Sequence, residues 1–181
     1  MKIFMAIELP DKTKTEIENT LADFKLREYP QLDWKNKNNY LINLFDFGEV
    51  NDPNNLKKRI EDLFFDQETF YLYSTYCSVL IKHKIYLHIN FRREKKLEAL
   101  NQKLVSNFKN SNEGIKFEPV IDFAKGKVPS KQQYFVLKKK LERIEVDIEI
   151  NVKKVTLFGI EVIDGSTVIK KISSIRLMDA V

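Results

Sequence analysis

The segment Tyr40-Leu41-Ile42-Asn43-Leu44-Phe45-Asp46-Phe47, followed by Gly48, has the composition of a sheet strand. Its short run of apolar and aromatic residues predicts a buried or half-buried strand. Successive side chains of a strand point to opposite faces, so Leu41, Asn43 and Phe45 are expected to share one face.

Strands and helices alternate outward from this segment. Upstream, a strand over residues 2–8 leads into a helix with Asp11 as N-cap and a stop at Tyr29-Pro30. Downstream, the pattern predicts helices after Asp52, over Glu94–Phe108 and over Gln132–Leu141. It predicts strands over Phe70–Ile81, Ile85–Phe91 and Phe117–Ala124, and an alternating strand over Ile144–Val152. The last strands are expected over Val155–Val162 and Thr167–Ile172, around an Asp164-Gly165 turn, and over Ser174–Met178.

A short internal repeat relates the two halves of the chain. Lys2-Ile3-Phe4-Met5-Ala6-Ile7-Glu8-Leu9 aligns with Lys84-Ile85-Tyr86-Leu87-His88-Ile89-Asn90-Phe91. Each copy is followed by an amphipathic helix and a further strand. The pattern predicts a duplicated α+β fold with antiparallel sheets, and it places His88 opposite Ala6.

The composition excludes several classes of protein. The 181 residues include one Cys and two His, which rules out a disulfide framework, a cysteine zinc finger and a three-histidine metal site. No Gly-rich phosphate loop appears, and no cofactor or metal is expected. The apolar runs are too short to span a bilayer, the N-terminal segment is typical of a strand rather than a signal peptide, and Cys77 has no partner cysteine. We therefore expect a cytoplasmic monomer with no membrane partner.

The net charge permits a polyanionic partner without requiring one. There are 31 Lys and Arg residues against 26 Asp and Glu residues, which gives a formal charge of +5 and a pI of about 9.1. A charge of this size is only mildly basic for a chain of this length.

Two motifs carry a resemblance to a known family. Residues Asn39–Val50 resemble the motif Asn-Leu-His-Leu-Thr-Leu-x-Phe-Leu-Gly-Glu-Val of the two-histidine phosphoesterases, which include the bacterial 2′-5′ RNA ligases, also called RNA 2′,3′-cyclic phosphodiesterases. Residues Phe117–Lys125 resemble the second motif, Phe-x-Pro-His-Leu-Thr-Leu-Ala-Arg. The segments Ile3–Pro10 and Val155–Leu177 resemble the opening and closing strands of the family.

The resemblance implies a single two-lobed domain over residues 1–181, with a pseudo-twofold axis and a central groove. In the family, each lobe contributes one His-x-Thr to the groove. One histidine acts as general base and the other as general acid on a 2′,3′-cyclic phosphate.

Both motifs lack their catalytic residues in this chain. The first reads Leu41-Ile42-Asn43 and the second Val120-Ile121-Asp122, so neither histidine position can carry a proton. Loss of a positioned acid–base group typically slows a reaction about 10²–10⁴-fold. Asn43 can still donate a hydrogen bond to an anion, whereas an ionised Asp122 repels a phosphate. The sequence therefore predicts a catalytically inactive relative.

The predicted binding site for RNA or a nucleotide phosphate comprises Asn43, His88, Asp122, Lys125 and Lys127. Strand alternation directs Tyr86, His88 and Asn90 toward the groove, where His88 could pair with Asp122. Lys125 stands where the family has a basic residue, and Lys127 follows it on the same loop.

Two alternatives concern the same groove. One is a protein-interaction scaffold whose groove is closed by side chains such as Leu41 and Val120. Another is a diverged, active phosphoesterase that uses His88.

His83 is expected to be an exposed turn residue. Tyr71 and Tyr73 either stack on bases or, more simply, pack in a core or an interface.

Overall fold

The computed structural model describes residues 1–28, 32–108 and 117–179. The elements, in chain order, are β1 (Lys2–Glu8), α1 (Asp11–Glu28), β2 (Asp33–Trp34), a single 3₁₀ turn (Lys37–Asn39), β3 (Leu41–Glu49), α2 (Pro53–Leu63), β4 (Phe70–Ile81), β5 (Ile85–Phe91), α3 (Lys95–Asn107), β6 (Val120–Gly126), α4 (Lys131–Leu141), β7 (Glu149–Val152), β8 (Lys154–Ile163) and β9 (Ser166–Arg176).

All nine strands belong to one curled, antiparallel sheet. Its order is β7-β4-β5-β6-β3-β1-β8-β9, with the short β2 paired to β6. The first lobe contains β1, β3, β8 and β9, and the second contains β4, β5, β6 and β7. The lobes join where β3 and β6 pair antiparallel at Ile42 and Ile121.

The registers of the two lobes confirm the predicted duplication. Both β1 with β3 and β5 with β6 contain a register irregularity at the same place, between Met5 and Ala6 in one lobe and between Leu87 and His88 in the other. Three cross-strand pairs of the first lobe have equivalents in the second lobe. Phe4–Asp46 corresponds to Tyr86–Lys125, Ala6–Asn43 corresponds to His88–Asp122, and Ile7–Ile42 corresponds to Ile89–Ile121. The same backbone therefore carries different side chains in each lobe.

One main core contains apolar residues from all four helices and from one face of the sheet. The helix residues recur three or four positions apart, which forms an apolar stripe on each helix; in α3 they are Leu97, Leu100 and Leu104. Asp52 caps α2 by accepting from the amides of Asn54 and Asn55. None of the helices in the described ranges is both long and apolar enough to cross a membrane.

Several predicted elements match the structure closely. β4 and β5 have the predicted bounds, and Asp164 and Gly165 form the β8–β9 turn with positive φ values of 50° and 77°. Two consecutive positive φ values are typical of the hairpin turns that Asp-Gly favours. The predicted stop of α1 at Tyr29-Pro30 falls outside the described residues.

Two strand predictions were wrong in extent. Only Glu149–Val152 of the alternating segment Ile144–Val152 forms a strand. Before it, the Ser74 hydroxyl replaces ladder bonds by donating to the carbonyl of Val146 and accepting from the amide of Ile148. The alternation therefore reflects alternating burial rather than continuous pairing. The predicted break near Ile172 is also absent, because β9 runs unbroken to Arg176.

The junction of the lobes predicts a large effect on stability. Ile121 is fully buried where β6 meets β3, so Ile121→Ala is expected to lower the free energy of unfolding by about 2–5 kcal/mol. Urea denaturation measures this change. The control Val162→Ala, at a side chain that is 72% exposed, should change it by no more than about 0.5 kcal/mol. A loss below about 1 kcal/mol for Ile121→Ala would show that the junction is not tightly packed.

Candidate functional site

The groove lies where β3 and β6 run side by side. Ile42 and Ile121 are fully buried in the main core, so the residues on either side of them point to the opposite face of the sheet. The groove on that face has a volume of about 980 Å³. Its centre is lined by Leu41, Asn43, Val120 and Asp122.

The two motif positions therefore meet at the centre of the groove. Leu41 and Val120, which the motif resemblance aligns with the two histidines, are only partly buried. Neither side chain fills the groove. The structure therefore does not favour a closed groove, which is what the protein-interaction scaffold was expected to have. Neither side chain can give or take a proton.

Asp122 lies between two cationic or potentially cationic groups. Its Oδ1 is 3.6 Å from Nδ1 of His88, and its Oδ2 is 3.7 Å from Nζ of Lys35. Lys35 is held in place because its backbone amide donates to the carbonyl of Phe123. The predicted pairing of His88 with Asp122 is thus present at ion-pair distance, and Lys35 is an addition that the sequence did not suggest.

The environment of Asp122 favours its ionised form. Burial opposes ionisation, but the neighbouring His88 ring and the Lys35 ammonium outweigh it, so the pKa of Asp122 lies below its ordinary value. His88 is almost completely buried, and its Nδ1 has no hydrogen-bond partner within the described parts of the chain. The centre of the groove is therefore half apolar and half occupied by a carboxylate.

The remaining predicted residues occupy different places. Lys125 lines the groove, and its Nζ lies 3.3 Å from Oδ2 of Asp33, its direct cross-strand neighbour on β2. Lys127 lies just beyond the end of β6 and is not among the residues that line the groove. Asn90 does not line it either, because its amide donates to the carbonyl of Tyr76 and the hydroxyl of Ser78.

The two ends of the groove carry opposite charges. Because β3 and β6 are antiparallel, their carboxyl-terminal halves extend in opposite directions from the centre. One end, here called the basic end, is formed by Lys82, His83, Tyr86 and Lys125; the other, the acidic end, contains Asp46 and Glu118. Asp46 and Lys125 occupy equivalent positions of the two lobes. Two similar backbones therefore place side chains of opposite charge at the two ends of the groove.

An apolar cluster covers the groove face of the first lobe. Phe4 and Phe158 stack with their ring centroids 5.4 Å apart, and Ala6, Leu41 and Ile160 pack around them. The equivalent region of the second lobe carries Tyr86 and His88 instead of Phe4 and Ala6. The sides of the groove thus differ in polarity as well as its ends.

Besides Lys35, the sequence did not predict that His83 lines the groove. It is exposed in the turn between β4 and β5, as predicted, but it also lines the groove, and its Nε2 lies 3.1 Å from the Tyr86 hydroxyl. Strand alternation had placed Tyr86 on the groove side, and a turn three residues earlier lies within reach of that ring. That proximity was the available signal.

The tyrosines of β4 are not core residues. Tyr71 and Tyr73 are 45% and 43% exposed, with ring centroids 6.3 Å apart, and Asn151 donates to the Tyr71 hydroxyl. Of the expected packing in a core or an interface, the core is wrong for these two side chains, and the interface stays a prediction. They lie near the β7 edge and do not line the groove.

Solved structures share this fold over nearly the whole chain. TT0787 of Thermus thermophilus aligns with a TM-score of 0.71 at 15% identity, covering 98% of both chains. LigT of E. coli complexed with 3′-AMP aligns with a TM-score of 0.71 at 17% identity, and complexed with NADP⁺ with 0.65 at 16%, each covering 97% of both chains. No protein-family model and no curated protein sequence matches this chain. At these identities the likeness shows the fold, and the fold prediction is confirmed.

The environment of Asp122 predicts a measurable titration. Carbon-detected NMR should give Asp122 a pKa below the ordinary value of about 3.9, and Lys35→Gln should raise it by removing a neighbouring charge. Since the folded pKa is depressed, the stabilisation from this contact is present at neutral pH and is lost as the pH falls through the folded pKa. Lys57→Gln, on α2, is the control and should leave the titration unchanged. An Asp122 midpoint at or above about 3.9 would contradict this account.

Proposed function

We propose that this chain, which has the fold of E. coli LigT, binds a nucleotide or the phosphate-bearing end of an RNA in the groove without hydrolysing it. The chain acts as one two-lobed domain, since β3 and β6 join the halves of a single sheet. Loss of catalysis and retention of binding are supported by different observations.

The observation that carries the loss of catalysis is the position of Leu41 and Val120. Both line the centre of the groove, on strands that place the two motifs side by side. An aliphatic side chain cannot act as a general acid or base, and the loss of both groups compounds the effect of losing one. The groove retains its shape while lacking the groups that would transfer protons.

The retention of binding is supported by the space and the chemistry of the groove. A volume of about 980 Å³ is at the upper end of the usual range for small-molecule sites, which is roughly 300–1,000 Å³. The apolar cluster around Phe4 offers a surface to a base or a sugar, and Asn43 and the groove lysines offer hydrogen-bond donors. Structures of E. coli LigT with 3′-AMP, NADP⁺, ATP and phosphate make a nucleotide the first ligand to test.

One observation favours a second function, a diverged phosphoesterase that uses His88. His88 lines the groove beside Asp122, at a distance from which a carboxylate can orient an imidazole. Against this alternative, the His88 side chain is only 7% exposed, and no second histidine lies at either motif position. A single buried histidine supplies one of the two proton-transfer groups that the family's reaction uses.

The proposal predicts binding without turnover. Isothermal titration calorimetry with 3′-AMP should show one site, with an affinity that falls as the salt concentration rises because charge attraction contributes to it. Incubation of the protein with 2′,3′-cyclic AMP, followed by chromatography, should show no more opening of the ring than buffer alone.

Two results would contradict the proposal. Turnover that disappears in His88→Ala would favour the diverged enzyme, with Lys84→Ala, at a turn residue outside the groove lining, as the control. Absence of binding to both nucleotides at millimolar concentration would remove the nucleotide-binding function and leave protein interaction as the remaining alternative.

A further inference from the structure

We infer that the phosphate of the bound nucleotide sits at the basic end of the groove, on Lys82, His83, Tyr86 and Lys125, and not between the two motif positions. This inference rests on the proposed function and adds the place and direction of the ligand. It is argued from the donors and charges along the groove.

The centre of the groove is a poor place for a phosphate. Leu41 and Val120 offer no donor on either side of the lobe junction. Asp122 presents a carboxylate there, and two negative charges about 4 Å apart repel each other by several kcal/mol at an effective dielectric constant of about 20. Lys35 does not offset this, because it already lies 3.7 Å from the same carboxylate.

The basic end gathers several donors within one short stretch of structure. Lys82 lines the groove and has no ion-pair partner within the described ranges. His83 Nε2 and the Tyr86 hydroxyl are 3.1 Å apart, and when the imidazole N–H donates to the tyrosine oxygen, the hydroxyl proton is available to an acceptor oxygen. Lys125 is the direct cross-strand neighbour of Tyr86 and lines the same end of the groove, where its ammonium contacts Asp33 of β2.

The one carboxylate beside Lys125 does not block this site. Asp33 lies 3.3 Å from the Lys125 ammonium, but both side chains are largely exposed. An exposed pair of this kind is worth about 0–1 kcal/mol, so a phosphate can replace the carboxylate at little cost. The dianionic phosphate can then engage Lys82 and Lys125 together.

The opposite end of the groove fixes the direction of the ligand. Asp46 and Glu118 at the acidic end are carboxylates and offer a phosphate no donor, whereas the apolar cluster of Phe4, Phe158, Leu41 and Ile160 lies on that side of the first lobe. A nucleotide with its phosphate at the basic end therefore directs its sugar and base across the centre, toward the apolar cluster. The ligand spans the pseudo-twofold axis instead of placing its phosphate on it.

Calorimetric titration with 3′-AMP and with adenosine tests this placement. The unmodified protein should prefer 3′-AMP about 10-fold or more. The double variant Lys82→Ala/His83→Ala should lose about 10- to 100-fold in 3′-AMP affinity and leave adenosine affinity unchanged, because it removes only charge-assisted phosphate contacts. The control Lys84→Ala, in the same turn but outside the groove lining, should keep the preference.

A second measurement locates the phosphate without relying on variants. Inorganic phosphate added to labelled protein should shift the amide NMR signals of residues 82–86 more than those of Asn43 and Asp122.

Different outcomes separate this inference from the proposed function. If Asn43→Ala or Lys35→Ala abolishes the preference for 3′-AMP while Lys82→Ala/His83→Ala retains it, the phosphate lies at the centre, and the inference is overturned while nucleotide binding stands. Phosphate-induced shifts confined to Asn43 and Asp122 would lead to the same conclusion. No binding of either compound would overturn both.

Discussion

The antiparallel pairing of Ile42 with Ile121 is the contact on which the site depends. It joins the two halves of the sheet, and both side chains are directed into the core. Because a strand alternates its faces, burial of these two residues forces Leu41, Asn43, Val120 and Asp122 onto the groove. A one-residue shift of β6 would bury Asp122 and expose Ile121, and the same shift of β3 would bury Asn43 and expose Ile42, so the core itself enforces the arrangement of the site.

The duplicated backbone explains how the two ends of the groove come to carry different side chains. Equivalent positions carry Phe4 and Tyr86, Ala6 and His88, and Asp46 and Lys125. Backbone pairing and core burial constrain the side chains on the buried face of each strand, while the side chains on the groove face are not part of the core. The two lobes therefore share a register and an irregularity, yet offer a ligand an apolar acidic side and a donor-rich basic side.

Much of the fold was predictable because local patterns and the fold agree. Strict apolar periodicity placed α3, β4 and β5, and Asp164-Gly165 marked its hairpin. The prediction for the segment before Glu149 was wrong, because alternating burial looks the same in sequence whether the backbone forms its hydrogen bonds with a neighbouring strand or with the Ser74 hydroxyl.

The site was predictable where strand alternation alone decides it, as for Asn43, His88 and Asp122. The positions of Lys35 and His83 depend on how β2 and the β4–β5 turn approach other strands, and no local pattern encodes that approach. The motif resemblance placed the groove. The difference in charge between its two ends depends on how the two lobes align in space, which the sequence alone does not give.

We propose that this groove lacks catalysis because of two positions and keeps the form needed to bind a nucleotide. It is tested most directly by restoring the motifs through Leu41→His, Asn43→Thr, Val120→His and Asp122→Thr, with a control that carries Gln instead of His at positions 41 and 120. The account predicts that the folded restored variant opens 2′,3′-cyclic AMP at least about 10²-fold faster than the unmodified protein and the control, which stay inactive. Turnover by the unmodified protein, or a folded, nucleotide-binding restored variant with no turnover, would contradict it.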